Sequence, residues 1–182
     1  RPSPTTRSRT TANRPAQPAQ PVQPDRLAVT PSRPVAAPAG STVIFDGTPA
    51  ALTLSPGNTA EPGDGAAVIR STQRNAKADA TPEGAYVTVP GTLSSILAGK
   101  RVRITVMARS AKDTKFALAY AIASGASSGW LVFSPTRDFQ PYTMDFTIPA
   151  NATGAHYFAI WSDIAGRGTP LEVQSVTLTP AG

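Results

Sequence analysis

His156 is the only imidazole in this 182-residue chain, and Tyr157 follows it directly. A histidine and a tyrosine can act as base and acid in a polysaccharide lyase when Gln, Asn or Arg side chains neutralise charge beside them. Arg103 and Gln174 are the residues that could do so. No GxSxG, HExxH or cysteine nucleophile accompanies the histidine, so the serine-hydrolase, zinc-protease and thiol chemistries lack their central groups. A lone histidine in a strand is ordinarily a surface or cross-strand residue. Glycoside hydrolysis needs two carboxylates roughly 5 to 10 Å apart in a cleft. Here Glu61, Asp64, Asp79, Glu83, Asp113, Asp138 and Asp163 fall mainly in expected turns, and only Asp145 and Glu172 fall clearly within expected strands, Asp46 standing at the end of one. The residue types point away from an enzyme.

Binding chemistry is better supplied. Flat aromatic side chains stack on the C–H faces of sugar rings, and planar polar groups beside them take the hydroxyls. In residues 156–163, alternation reads Phe158 and Ile160 as buried and turns Tyr157, Trp161 and Asp163 to the opposite face. Trp130 follows a Ser/Gly-rich turn at 124–129. With Arg103, Arg109 and Gln174 these would form an aromatic and basic platform for an acidic or neutral glycan, although tryptophans in a domain of this size also serve as ordinary packing. The glycine-rich loop after Trp161 opens no expected helix, which argues against a phosphate cradle.

The elements that must position these residues are short runs of β-branched and aromatic residues, broken by Gly, Pro, Asn and Asp about every ten residues. That spacing predicts an all-β antiparallel sandwich of the jelly-roll type. Ten strands are expected, at 42–46, 51–54, 66–71, 85–89, 101–109, 115–123, 129–134, 141–148, 155–162 and 171–179. Val102, Ile104, Val106 and Ala108 share one side of their strand while Arg101, Arg103, Thr105 and Arg109 share the other, with Met107 the exception. Such half-buried alternation is the mark of an antiparallel sheet. In 115–123, Phe116, Leu118, Tyr120 and Ile122 face one side and, after Lys115, only alanines the other, which places Tyr120 in the core. Asp64-Gly65 reads as a hairpin turn, and 92–97 has room for one helical turn.

Residues 1–40 are of another kind. They hold nine of the 19 prolines, six arginines against Asp25 alone, and no aromatic residue, so they cannot bury enough apolar surface to offset the entropy of ordering. We read 1–40 as a disordered Pro/Arg-rich linker with a polyproline bias and 41–182 as the sandwich domain. Most of the net charge of +6 sits in that linker; the domain's eleven basic and ten acidic residues leave it at +1. A nearly neutral globular part argues against nucleic acid as a partner. Cysteine is absent, so disulfides and thiolate metal sites are excluded. No apolar run is long enough to span a membrane as a helix. The chain starts at Arg1, and an upstream signal or anchor is expected. Arginine outnumbers lysine 13 to 4, which suggests a GC-rich bacterial genome and a periplasmic or extracellular setting.

Residues 99–179 carry a resemblance. GKRVRITVMARS, then GWLVFSPTRDFQPYTMDFTIP, then HYFAIWSDIAGRGTPLEVQSVTL resemble, in order and spacing, the carbohydrate-binding-module jelly rolls of the family 4, 9 and 22 type. The resemblance implies a non-catalytic, tethered polysaccharide-binding module of the bacterial envelope. A structural or adaptor sandwich that binds another envelope protein is the alternative, because this fold is reused. The family's last strand carries aspartates that help hold a structural calcium; this chain has Leu171-Glu-Val-Gln-Ser-Val176 there. Only Glu172 and Asp46 remain as oxygen ligands, and no cofactor is expected.

Overall fold

The computed structural model describes residues 40–74 and 83–181, all within the unit Ala37–Gly182. The linker expected at 1–40, Gly40 apart, and the turn acid Asp79 lie outside the described residues.

Eleven strands follow one another in the described chain: β1 (Thr42–Phe45), β2 (Thr53–Leu54), β3 (Asn58–Pro62), β4 (Ala67–Ser71), β5 (Ala85–Thr88), β6 (Arg101–Arg109), β7 (Phe116–Ile122), β8 (Leu131–Phe133), β9 (Gln140–Thr147), β10 (His156–Trp161) and β11 (Leu171–Ala181). A 3-10 turn at Pro49–Ala51 precedes β2, and one helical turn, α1 (Gly91–Ser94), precedes β6. The expected strand at 51–54 shrinks to two residues because Pro49 starts that turn. Strand β3 was not expected, since Asn-Thr-Ala-Glu-Pro has turn composition. It lies at a sheet edge, where backbone pairing with β4 suffices, and the Asn58 amide donates to the Ser55 carbonyl at 3.1 Å.

The strands form two sheets. The first runs β3-β4-β11-β6-β9, with β1 also paired to β11; the second runs β2-β5-β10-β7-β8. Within them β4 pairs with β11, β5 with β10, β6 with β9 and β7 with β8, all antiparallel. This nested order is a long hairpin rolled over itself, the defining topology of a jelly roll. The core lies between the sheets. Val102, Ile104, Val106 and Ala108 of β6 meet Phe116, Leu118, Tyr120 and Ile122 of β7 and Phe158 and Ile160 of β10 within one buried cluster. The loose alternation of 171–179 has a cause: the pairing of β11 with β6 shifts register between Val173 and Ser175. The bulge lets Val173 and Val176 both point inward.

Candidate functional site

Because side chains alternate, each core-facing set implies an opposite set on the outside of its sheet. On the second sheet that outer set is Tyr86 and Thr88 of β5, Tyr157, Ala159 and Trp161 of β10, and Ala117, Ala119 and Ala121 of β7. Register aligns them in rows: Tyr86 is opposite Ala159, which is opposite Ala119, and Tyr157 lies between Thr88 and Ala121. The Tyr86 and Tyr157 rings meet edge to face at 5.8 Å. Beside them lies a strip of four alanines on β10 and β7 that is covered, each only 0 to 5% exposed. Trp130, just before β8, stands half-buried on the far side and meets Trp161 edge to face at 5.7 Å. Tyr86, Tyr157 and Trp130 are the half-buried aromatics of this face.

Trp161 shares this face but is not open to solvent. It is only 4% exposed, and its indole Nε1–H donates to the Gln73 carbonyl at 3.0 Å. The segment leaving β4 thus folds over it. The expectation of a solvent-facing Trp161 is corrected: the residue faces outward from its sheet and is covered by a segment almost ninety positions earlier in the chain. Asp163 is also buried, contrary to expectation. Its carboxylate accepts the backbone N–H groups of Ala165, Arg167 and Thr169 at 3.0, 3.1 and 3.1 Å. Burial alone would raise its pKa, but these amides outweigh it and hold the carboxyl below the usual range. It shapes the loop after β10.

The expected basic flank lies elsewhere. Arg103, Arg109 and Gln174 belong to β6 and β11 of the first sheet, on the other side of the sandwich from Tyr157 and Trp130. Arg103 and Arg101 both donate to Asp145, at 2.8 and 2.6 Å. The Arg103 hydrogen bond is the main cause that brings the Asp145 carboxyl down to about 2. Arg109 donates to Glu172 at 2.8 Å and lies 4.3 Å over the Phe139 ring. The structure therefore brings Tyr157, Trp130 and Trp161 together and separates them from the three polar residues. Tyr86 was missed by sequence reasoning, although the alternation of Ala85, Val87 and Val89 against Tyr86 and Thr88 marks it.

Two expectations about chemistry also change. Of the surface and cross-strand places expected for His156 the structure has the second: the residue is 3% exposed, its Nδ1 lies 2.7 Å from the hydroxyl of Tyr120 on neighbouring β7 inside the core, and it does not partner Tyr157. Burial lowers its pKa and raises that of Tyr120. A lyase pair has to reach its substrate, and this one faces the interior. The calcium ligands fare no better. Glu172 is taken by the Arg109 guanidinium, Asp46 accepts the Thr48 N–H at 3.0 Å, and no three metal-binding side chains gather among the described residues. These residues do not fit an ion that takes six to eight oxygens.

No protein-family model matches this sequence, and no curated protein sequence matches it. Solved structures do. The chain is similar to the CBM22-1–GH10 modules of Clostridium thermocellum endo-1,4-β-D-xylanase 10B, solved with xylohexaose, with a TM-score of 0.53 at 12% identity. That match covers 77% of this chain and 28% of the xylanase chain, so this protein spans little more than a quarter of it. Lower similarity links it to a CBM29-2 carbohydrate-binding module (TM-score 0.49, 16% identity, 78% of this chain and 91% of that one). The CBM22-1 xylan-binding domain of a Paenibacillus barcinonensis protein is comparable (TM-score 0.48, 12% identity, 77% and 92%). At such identities the likeness is one of fold. The chain is an all-β sandwich of the carbohydrate-binding-module type, as the resemblance over residues 99–179 implies.

Proposed function

We propose that this domain is a non-catalytic carbohydrate-binding module that holds a polysaccharide against Tyr86 and Tyr157 on the outer face of the second sheet. The observation that carries the reading is the Tyr86–Tyr157 pair, half-buried and perpendicular beside the alanine strip. Packing one ring's edge into the other's face holds both rigid, so little side-chain entropy is lost when a sugar stacks on them. Neither hydroxyl has a hydrogen bond within the described residues, which leaves both to a ligand. The burial of His156 supports a binding rather than a catalytic role. The linker composition of residues 1–40 supports display on a tether in a bacterial periplasm or outside the cell. The bound xylohexaose of the similar xylanase structure supports β-linked polysaccharide as the first ligand class to try.

Affinity electrophoresis against soluble polysaccharides tests this. The protein is retarded by at least one of them, and Tyr157→Ala or Tyr86→Ala weakens that retardation roughly tenfold without loss of fold. If a folded protein is retarded by none, the reading fails. A second reading then takes its place. Leu131 and Val132 of edge strand β8 are 41% and 52% exposed, an apolar edge suited to docking a protein partner. Co-purification lost in Val132→Asp identifies that case.

A further inference from the structure

The ion pairs on the outside of the first sheet do not balance. At one end Arg109 pairs with Glu172, and Asp64 and Asp138 act on it as well. At the other end Arg101 and Arg103 share a single carboxylate, that of Asp145, and Asp145 is the only charged group among the described residues that acts on Arg103. Lys100, next to them in the chain, is exposed. Three cations therefore stand against one acid, and the Arg101 and Arg103 side chains are 58% and 57% exposed. Register sets what surrounds them. Arg103 lies between Thr179 of β11 and Asp145 of β9, and the neighbouring row is Thr177, Thr105 and Thr143. Short threonines between outstretched arginines give a sugar ring nothing to stack on, but they suit a plane of anionic groups. The chain also enters the domain here. The Ser41 and Thr179 hydroxyls hydrogen-bond at 2.5 Å, Thr179 is the strand partner of Arg103, and the residues before Gly40 hold six arginines against Asp25 alone.

We propose that this end of the first sheet docks on an anionic phospholipid surface, with Lys100, Arg101 and Arg103 meeting lipid phosphates. Each exposed Lys or Arg beside an anionic bilayer adds to binding, and the attraction fades within a Debye length, so the cations have to share one face to act together. Asp145 takes one nitrogen donor of Arg101 and two of Arg103. The remaining guanidinium N–H groups are left to phosphate oxygens, which they bind strongly and with defined geometry. The outer faces of the two sheets point opposite ways, so docking of the first turns Tyr86 and Tyr157 of the second away from the membrane. The proposal does not depend on what those tyrosines bind.

The experiment is co-sedimentation of the full chain with phosphatidylcholine vesicles, with and without phosphatidylglycerol, at low and high salt. Arg101→Gln/Arg103→Gln, Asp145→Asn and Thr147→Glu are run beside it, the last placing an acid opposite Arg101 without touching the ion pairs. All keep the six arginines of residues 1–40, so their contribution cancels in the comparison, and thermal melts check that each variant is folded. The expected result is binding to the anionic vesicles alone, released by salt. It falls roughly fivefold for each cation removed, falls also in Thr147→Glu, and rises by a similar factor in Asp145→Asn. No binding to anionic vesicles overturns the proposal. So does binding that the arginine variant and Thr147→Glu leave unchanged, since the arginines before Gly40 then act alone. If heparin is bound with the same dependence on Arg101 and Arg103 while vesicles are not, the partner is a soluble polyanion and the membrane proposal is overturned. Polysaccharide retardation of the same variants stays as in wild type, so failure here leaves the carbohydrate reading standing.

Discussion

Tyr120 and His156, 36 residues apart in sequence, meet at 2.7 Å as diagonal neighbours on adjacent strands β7 and β10. Their rings cross nearly at right angles, and both are buried in the core. The bond satisfies two polar groups that would each be costly to bury alone.

A pH dependence follows with a definite sign. Burial lowers the folded-state pKa of His156 below the unfolded value of about 6.5. Above about pH 6.5 neither state binds the proton. As pH falls below it, the unfolded chain is protonated first, and stability declines until the folded-state pKa is passed. The melting temperature therefore drops between pH 7.5 and 5, and His156→Gln flattens the profile. Tyr120→Phe orphans Nδ1 and costs about 1 to 3 kcal/mol at neutral pH. A flat wild-type profile refutes this.

Trp161 and Tyr157 separate in their effects. Trp161→Ala removes a covered indole and its bond to Gln73, and destabilises the fold by about 3 to 5 kcal/mol. Tyr157→Ala removes a half-exposed ring and leaves the melting temperature nearly unchanged. Thermal melts of the two variants, read beside glycan retardation, show which residue is a peg and which a platform.

Asp163 is a structural carboxylate. Asp163→Ala leaves three backbone amides without their acceptor and costs about 1 to 3 kcal/mol. Its depressed folded pKa means that the stabilisation is present above the unfolded value near 4 and is lost as pH falls through the folded one. Denaturant melts between pH 6 and 2 show a steeper acid loss in wild type than in Asp163→Asn.

Gly166 holds the segment leaving β4 in place beside Trp161. Its φ is +69°, and a Cβ would also press within 2.7 Å of the Gln73 carbonyl carbon. Gly166→Ala costs about 1 to 3 kcal/mol and displaces Gln73 from Trp161, which a shift in tryptophan fluorescence reports. An unshifted spectrum with unchanged stability contradicts the close packing.

Much of the fold is legible in the residues because strand alternation is a local property. The side of β6 that carries Val102, Ile104 and Val106 and the side of β7 that carries only alanines follow from period two and from burial of apolar groups. So do Asp64-Gly65, which sits in the β3–β4 hairpin, and the helical turn near residue 92. The short edge strand β3 escaped notice because edge pairing needs backbone more than composition.

The candidate site was half legible for the same reason. Alternation says which side of its own strand Tyr157, Arg103 or Trp161 occupies. It says nothing about which of two stacked sheets that strand joins. Only the rolled topology puts Tyr86, Tyr157 and Trp130 on one outer face and Arg103, Arg109 and Gln174 on the other. Only tertiary contacts, those of the Gln73 carbonyl and the Trp130 ring among them, turn an outward Trp161 into a buried one, and only the packing of Gly166 brings residues 73 and 74 against the loop after β10. Sequence determined the faces of the strands; the non-local pairing of segments up to 138 residues apart decided which faces meet solvent together.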